Sequence, residues 1–179
     1  MVPARGVSRH PVLENPEREM DLAIKQSRDM GETNALVRTV RAGIGLLNEY
    51  ARPVLDLGVR IFVGMMFFNA GLTKISNWNA TLYLFENEYH VPFLSPTIAA
   101  YMGTAAELGL PVFLVMGLGA RFAAAALFVF NIVAVISYPD LGEVGLKDHQ
   151  YWGLLLLVTL THGPGKLALD HLIAKKFFS

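Results

Sequence analysis

From residue 54 onward the chain consists mainly of long apolar runs separated by short polar segments. A helix that crosses the hydrocarbon core of a membrane needs about 20 mostly apolar residues. Four runs reach or approach that length, and they cover 54–75, 96–118, 120–138 and 149–167. The pattern therefore predicts an all-α fold, a polytopic membrane protein built on a four-transmembrane-helix bundle.

A different pattern precedes the first run. Between residues 35 and 52, apolar residues recur at three- and four-residue spacing, opposite Arg38 and Arg41. This spacing is typical of an amphipathic helix that lies in the membrane interface. The predicted organisation is a flexible cytoplasmic extension over 1–34, the interfacial helix over 35–52, the four-helix membrane domain over 53–173 and a cytoplasmic tail over 174–179.

Composition and charge support a membrane location. The chain is 53% hydrophobic and 17% charged, which is too apolar for an ordinary soluble domain. Its formal net charge is zero, so no general attraction to nucleic acid follows. The lipid bilayer is the predicted partner, and nucleic acid is not one.

The distribution of Lys and Arg predicts the orientation in the membrane. Eight of these residues precede Pro53 and two more lie in the tail, whereas the connection 76–95 has none. Lys and Arg accumulate in cytoplasmic segments near the ends of spans. The N- and C-termini are therefore both expected in the cytoplasm.

Four polar residues within the apolar runs predict a buried polar site. Ionisable groups at membrane depth cost a few kcal/mol each, so they normally face protein or water. Arg60, Glu107, Asn131 and His162 come from four different runs. Glu107 and Asn131 have nearly the same estimated depth, and His162 has that of Arg60. An extended Arg side chain can close the difference between the two depths, so a bundle could place the four residues around one interior volume. Arg60 is expected to pair with Glu107 or, four residues away on its own helix, with Asp56. In the alternative, Asp56 and Arg60 form a structural ion pair at the boundary and Arg60 extends to the lipid headgroups.

Other candidate chemistry is sparse. The chain has no cysteine, which excludes disulfides and thiolate chemistry from its own residues. His90, Asp148 and His149 gather on the predicted outer side, but their spacing matches no ligand motif, so no metal site is predicted. Lys74 is expected to extend to the outer surface. No catalytic residue is assigned.

Several motifs occur in an order that resembles the DoxX family of small bacterial membrane proteins. They are RIFVGMMFFNAGLTK from Arg60 to Lys74, then FENEYHVPFLSP, then Glu107 followed by LVMGLGAR, then HQYW before LTHGPGKLALD. The resemblance covers about residues 54–173. One departure is Ala168, where relatives commonly carry a Ser that can cap a helix.

The resemblance implies a multi-pass protein of the bacterial cytoplasmic (inner) membrane that is associated with membrane redox chemistry. We therefore expect a quinone-linked subunit of a membrane oxidoreductase rather than a complete enzyme, with a quinone bound noncovalently and no covalently bound cofactor. Other protein subunits or further copies of the chain are the expected partners. The alternative is a non-catalytic membrane anchor or assembly subunit, and a weaker one is a small-solute or ion transporter.

Overall fold

A computed structural model of the chain describes residues 16–177. Residues 1–15 of the predicted extension and 178–179 of the predicted tail lie outside the described residues. The described part divides into two units between Leu46 and Leu47. The first unit contains one helix, α1, over Pro16–Leu46, with Glu17 and Glu19 in its first turn. The helix thus begins before residue 35, where the sequence predicts the interfacial helix to start. The flexibility of the N-terminal segment stays a prediction.

The second unit begins with a π-helical turn, Leu47–Ala51, and continues with six α-helices in the described residues. They are α2 (Arg52–Ser76), α3 (Trp78–Asn87), α4 (Pro96–Met116), α5 (Ala120–Ser137), α6 (Gly142–His162) and α7 (Leu169–Phe177). Proline occupies the first turns of α2 and α4, where its missing N–H leaves no hydrogen bond unmade. Gly117, with a φ of 70°, ends α4 in the left-handed conformation.

Four of these helices pack in a closed ring in the order α2, α4, α5, α6 and back to α2, while α3 packs against α4. Glycines bring α2 and α4 together. A Cβ atom at Gly64 would lie 2.7 Å from the Val115 side chain, and one at Gly71 would lie 2.8 Å from Leu108. The centre of the ring is filled by apolar side chains, Val63, Phe67, Leu114, Ala123, Ala124, Leu127 and Leu156.

Three helical stretches among residues 16–177 are long and apolar enough to cross a membrane. They are Val37–Ser76, Pro96–Met116 and Ala120–Ser137. The fourth predicted span is not one of them, because the first turns of α6 carry Glu143, Lys147 and Asp148. The chain is therefore a polytopic helical membrane protein.

Candidate functional site

The polar residues of the bundle form two separate centres. One lies where α4 ends and α5 begins, here called the Gly117 end. The other lies towards the place where α5 ends and α6 begins, here called the Tyr138 end. Arg60 and His162 belong to the first, and Glu107 and Asn131 to the second. The four predicted residues therefore do not surround one volume.

Arg60 at the Gly117 end is fully buried and is held by backbone carbonyls. Its Nη1 donates to the oxygens of Leu114 at 3.3 Å and Val115 at 3.0 Å, and its Nη2 donates to that of Leu167 at 2.6 Å. The first two carbonyls belong to the last turn of α4. Carbonyl oxygens there have no following helical turn whose N–H groups could bond to them, and they carry the negative end of the helix dipole. Arg60 thus acts as a helix C-cap that ties α2 to α4 and to the chain before α7.

The motif GPGKLALD completes this centre. Asp170 accepts hydrogen bonds from the backbone N–H groups of Gly119 at 2.8 Å and Ala120 at 3.1 Å, so it caps the start of α5. Its own N–H donates to the Gly117 oxygen at 2.9 Å. Ala168 is buried against Gly117. The motif therefore joins the α4–α5 turn, through hydrogen bonds, to the segment that leads into α7.

The predicted ion pair between Asp56 and Arg60 does not form. Asp56 lies 3.9 Å from the Nε of Arg52 instead, one turn earlier on the same helix. Among the described residues no carboxylate approaches Arg60 within salt-bridge distance, because its guanidinium is directed to the carbonyls of α4. His162 is exposed and lines a polar cavity beside Asp56, away from Glu107.

The buried carboxylate of Glu107 pairs with Lys74, so the expectation that Lys74 extends to the outer surface is wrong. The ammonium of Lys74 lies 2.8 Å from Oε1 and 2.7 Å from Oε2 of Glu107. The pair joins α2 to α4, and both side chains are largely screened from solvent. Gly71 makes this contact possible, since a Cβ atom there would lie 3.1 Å from that of Glu107. Lys74 shares a helical face with Arg60 and Gly71, and that shared face is the sequence signal that could have identified it.

Asn131 holds His149 across the contact between α5 and α6. Its Nδ2 donates to the His149 carbonyl at 2.9 Å, so its Oδ1 is left to accept from the Nδ1 of the ring at 2.7 Å. This pairing assigns the proton of a neutral imidazole to Nδ1. The Nε2 atom is then a proton acceptor.

The Lys74–Glu107 pair and His149 both line a cavity of about 440 Å³ at the Tyr138 end. Most of its wall is apolar or aromatic, including Phe67, Phe130 and Trp152. The polar groups on the wall are few: Lys74, Tyr89, Glu107, Ser137, Tyr138 and His149. A large apolar pocket with a few convergent polar groups is the usual form of a binding site for a small organic molecule.

Two hydroxyl groups give this cavity hydrogen-bonding capacity that residues 16–177 leave unused. Ser137 Oγ is buried and finds no hydrogen-bond partner in the part of the chain that the structure describes. Buried polar atoms without a partner are uncommon and costly. An ordinary tyrosine phenol is protonated at neutral pH and can donate. Burial, reinforced by neighbouring Tyr138, raises the pKa of Tyr89 further.

Comparison with known proteins agrees with the motifs and the helical architecture. The sequence profile of the DoxX family matches residues 55–139. An uncharacterized protein of Haemophilus influenzae is 33% identical to the chain over 128 residues, which cover 66% of this chain and 83% of that protein. No solved structure matches the chain. The chain therefore belongs to the DoxX family.

Proposed function

We propose that the protein is a membrane subunit of a redox system and that it binds a quinone head group in the cavity at the Tyr138 end. The observation that carries this proposal is a mostly apolar cavity of about 440 Å³ with the buried Lys74–Glu107 pair on its wall. A quinone ring requires apolar surfaces on its faces and hydrogen-bond donors at its two oxygens. The hydroxyl of Ser137, which has no partner among the described residues, and the phenol of Tyr89 fit that requirement.

The residues of the cavity have distinct roles in this proposal. The ammonium of Lys74 donates a hydrogen bond to one ring oxygen while it remains paired with Glu107. Glu107 is the group that can hold a proton within the bundle, and His149 Nε2 is a second acceptor whose state is set by Asn131. A bound quinone supplies a reversible couple of two electrons and two protons. The electrons come from a partner subunit, so the chain is part of an oxidoreductase rather than a complete enzyme.

The proposed membrane arrangement has four spans, with α6 as the fourth, and α1 from residue 35 lies at the membrane surface. Both termini face the cytoplasm of a bacterial inner membrane. Arg52, Arg121 and Lys166 near the Gly117 end support this orientation, as does the absence of Lys and Arg from 76–95. Labelling of single cysteines in this cysteine-free chain tests it: Asn87→Cys should react from outside and Lys175→Cys only from the cytoplasm.

Quinone binding can be measured through Trp152, which lines the cavity. In a Trp78→Phe background this indole is the one remaining tryptophan of the chain. Titration with a short-chain ubiquinone should quench its fluorescence saturably. Lys74→Met should weaken binding about tenfold because it removes a charged donor, and Glu107→Gln should do the same because it removes the carboxylate that positions this donor.

Lys147→Met is the matched control, since Lys147 is exposed and does not line the cavity. It should bind as the parent does. If Glu107→Gln and Lys74→Met also bind with the affinity of the parent, the quinone proposal is wrong.

A role as an anchor or assembly subunit is the second candidate, and α1 favours it. Several apolar side chains on this helix are more than half exposed, including Met20 at 59% and Ile24 at 53%. Such exposure is typical of surfaces that meet a partner or a membrane. If deletion of residues 1–46 releases a soluble partner while the cavity variants keep it bound, the anchor function is supported.

A further inference from the structure

A second cavity, of about 400 Å³, lies at the Gly117 end and has no part in the proposed redox function. It is the polar counterpart of the cavity at the Tyr138 end. Its wall carries three permanent cations, Arg52, Arg121 and Lys166, and two histidines, His162 and His171. Two carboxylates also face it, Asp56 and Asp170. Its lining therefore has an excess of positive charge.

Both carboxylates are already engaged by groups of the protein. Each oxygen of Asp170 accepts a backbone N–H at the start of α5, from Gly119 and from Ala120. Asp56 faces Arg52 at 3.9 Å. The negative charge on the wall is thus compensated locally, and it does not neutralise Arg121 or Lys166.

Arg121 and Lys166 remain available to a ligand. Arg121 makes no hydrogen bond or ion pair with the described residues. The nearest carboxylate oxygen to Lys166 belongs to Glu49 at 3.6 Å, and both side chains are more than half exposed. Ion pairs of that kind contribute about 0–1 kcal/mol and are readily exchanged.

The glycines of the loop after α6 place Arg121 against the cavity wall. Gly163 and Gly165 have φ angles of 84° and 74°, which favour glycine. A Cβ atom at Gly163 would lie 3.1 Å from Arg121 Nη2, and one at Gly165 would lie 2.8 Å from Asp56 Oδ2. The guanidinium therefore lies directly over the backbone of this loop, and larger residues there would displace it.

We propose that this cavity binds a phosphate group. The planar guanidinium of Arg121 matches two phosphate oxygens at once, and Lys166 adds a point charge. His162 and His171 supply further ring donors. At the end of a membrane bundle the phosphate can come from the headgroup of an anionic phospholipid or from a soluble phosphate compound.

The test uses the purified full chain in detergent with three probes: short-chain phosphatidylglycerol, a diacylglycerol of the same chain length, and inorganic phosphate. Saturable binding of phosphatidylglycerol or of inorganic phosphate is expected, with none of diacylglycerol. Arg121→Gln and Lys166→Gln should each weaken it about tenfold. Arg121→Lys should have a smaller effect, since it keeps the positive charge and loses only the planar guanidinium that matches two phosphate oxygens. Lys147→Gln, which changes an exposed cation outside this cavity, should bind normally.

The two phosphate probes distinguish the source. Tighter binding of phosphatidylglycerol than of inorganic phosphate identifies a lipid headgroup, and equal binding identifies a soluble compound. The proposal is overturned if neither phosphate probe binds, if diacylglycerol binds as tightly, or if Arg121→Gln and Lys166→Gln bind like the parent. Arg121 and Lys166 are exposed, so the variants should unfold as the parent does in a thermal scan that accompanies the titration.

Discussion

At the scale of single residues, Arg60 shows how a membrane helix can bury a cation without a counter-charge in contact. Three carbonyl oxygens receive its guanidinium, and two of them lie at the negative end of α4. Asp56 and Asp170 act on it at longer range. Arg60 is therefore a structural residue that joins α2 to the end of α4 and to the segment before α7.

Replacement of Arg60 by Met should destabilise the bundle by about 3 kcal/mol, because buried carbonyls lose a charged donor. Denaturant unfolding in detergent micelles measures this loss. Arg52→Met is the control: its side chain is 54% exposed and its contact with Asp56 spans 3.9 Å, so it should cost less than about 1 kcal/mol. If the two variants lose the same free energy of unfolding, Arg60 does not hold α2 to α4.

The burial of Arg60 and Glu107 could be predicted from the sequence, but their partners could not. Both residues interrupt long apolar runs, and that position is enough to direct them inward. The partners depend on the axial register between α2 and α4, which decides which residues of the two helices lie side by side. Depth counted from the ends of the runs assumes level ends, whereas Gly64 lies against Val115 and Gly71 lies against Glu107. This register brings Lys74 to the carboxylate and Arg60 to the end of α4.

At the scale of elements, the turn between α4 and α5 depends on two glycines that differ in their surroundings. Gly117 and Gly119 have φ angles of 70° and 57°. A Cβ atom at Gly117 would lie 2.5 Å from both Arg60 Nη1 and the Ala168 side chain, while one at Gly119 would meet nothing within 4 Å. A substitution at Gly119 therefore tests backbone strain alone, whereas one at Gly117 tests backbone strain together with steric overlap.

Gly119→Ala should cost about 1–2 kcal/mol, the strain of a left-handed residue with a Cβ atom. Gly117→Ala should cost about 1–3 kcal/mol more, since overlap in a packed site adds to the same strain. Thermal unfolding of the two variants in the same detergent compares them. Losses of equal size would mean that Ala168 and Arg60 do not pack against Gly117 as the structure shows.

The helices were predictable to different degrees. Apolar runs located α2, α4 and α5 to within a few residues, because proline and glycine mark their ends. The apolar pattern does not predict α3, since Trp78–Asn87 is short, although Asn77 caps it by accepting from Ala80 N–H at 3.1 Å. The fourth apolar run begins at residue 149, whereas α6 begins at Gly142. An apolar run shows which residues can lie within the membrane. The helix itself can extend into polar residues beyond that run.

At the scale of the whole bundle, its two ends are built differently. The Gly117 end is fastened by Arg60 and Asp170 through hydrogen bonds to backbone groups of neighbouring segments. The Tyr138 end keeps a cavity of about 440 Å³ and places its buried ion pair on the wall. The hydrogen bonds at the Gly117 end hold the helices together, while the mostly apolar cavity at the Tyr138 end has room for a ligand, and the proposed function rests on this difference.

Photolabelling with a short-chain azidoquinone, followed by peptide mass spectrometry, tests this account most directly. The account predicts that the label attaches to cavity residues such as Met66, Met102 and Trp152, and that excess unlabelled quinone prevents it. The opposite result would contradict the account: label spread over exposed side chains such as Phe113 and Phe122, in an amount that excess quinone does not reduce.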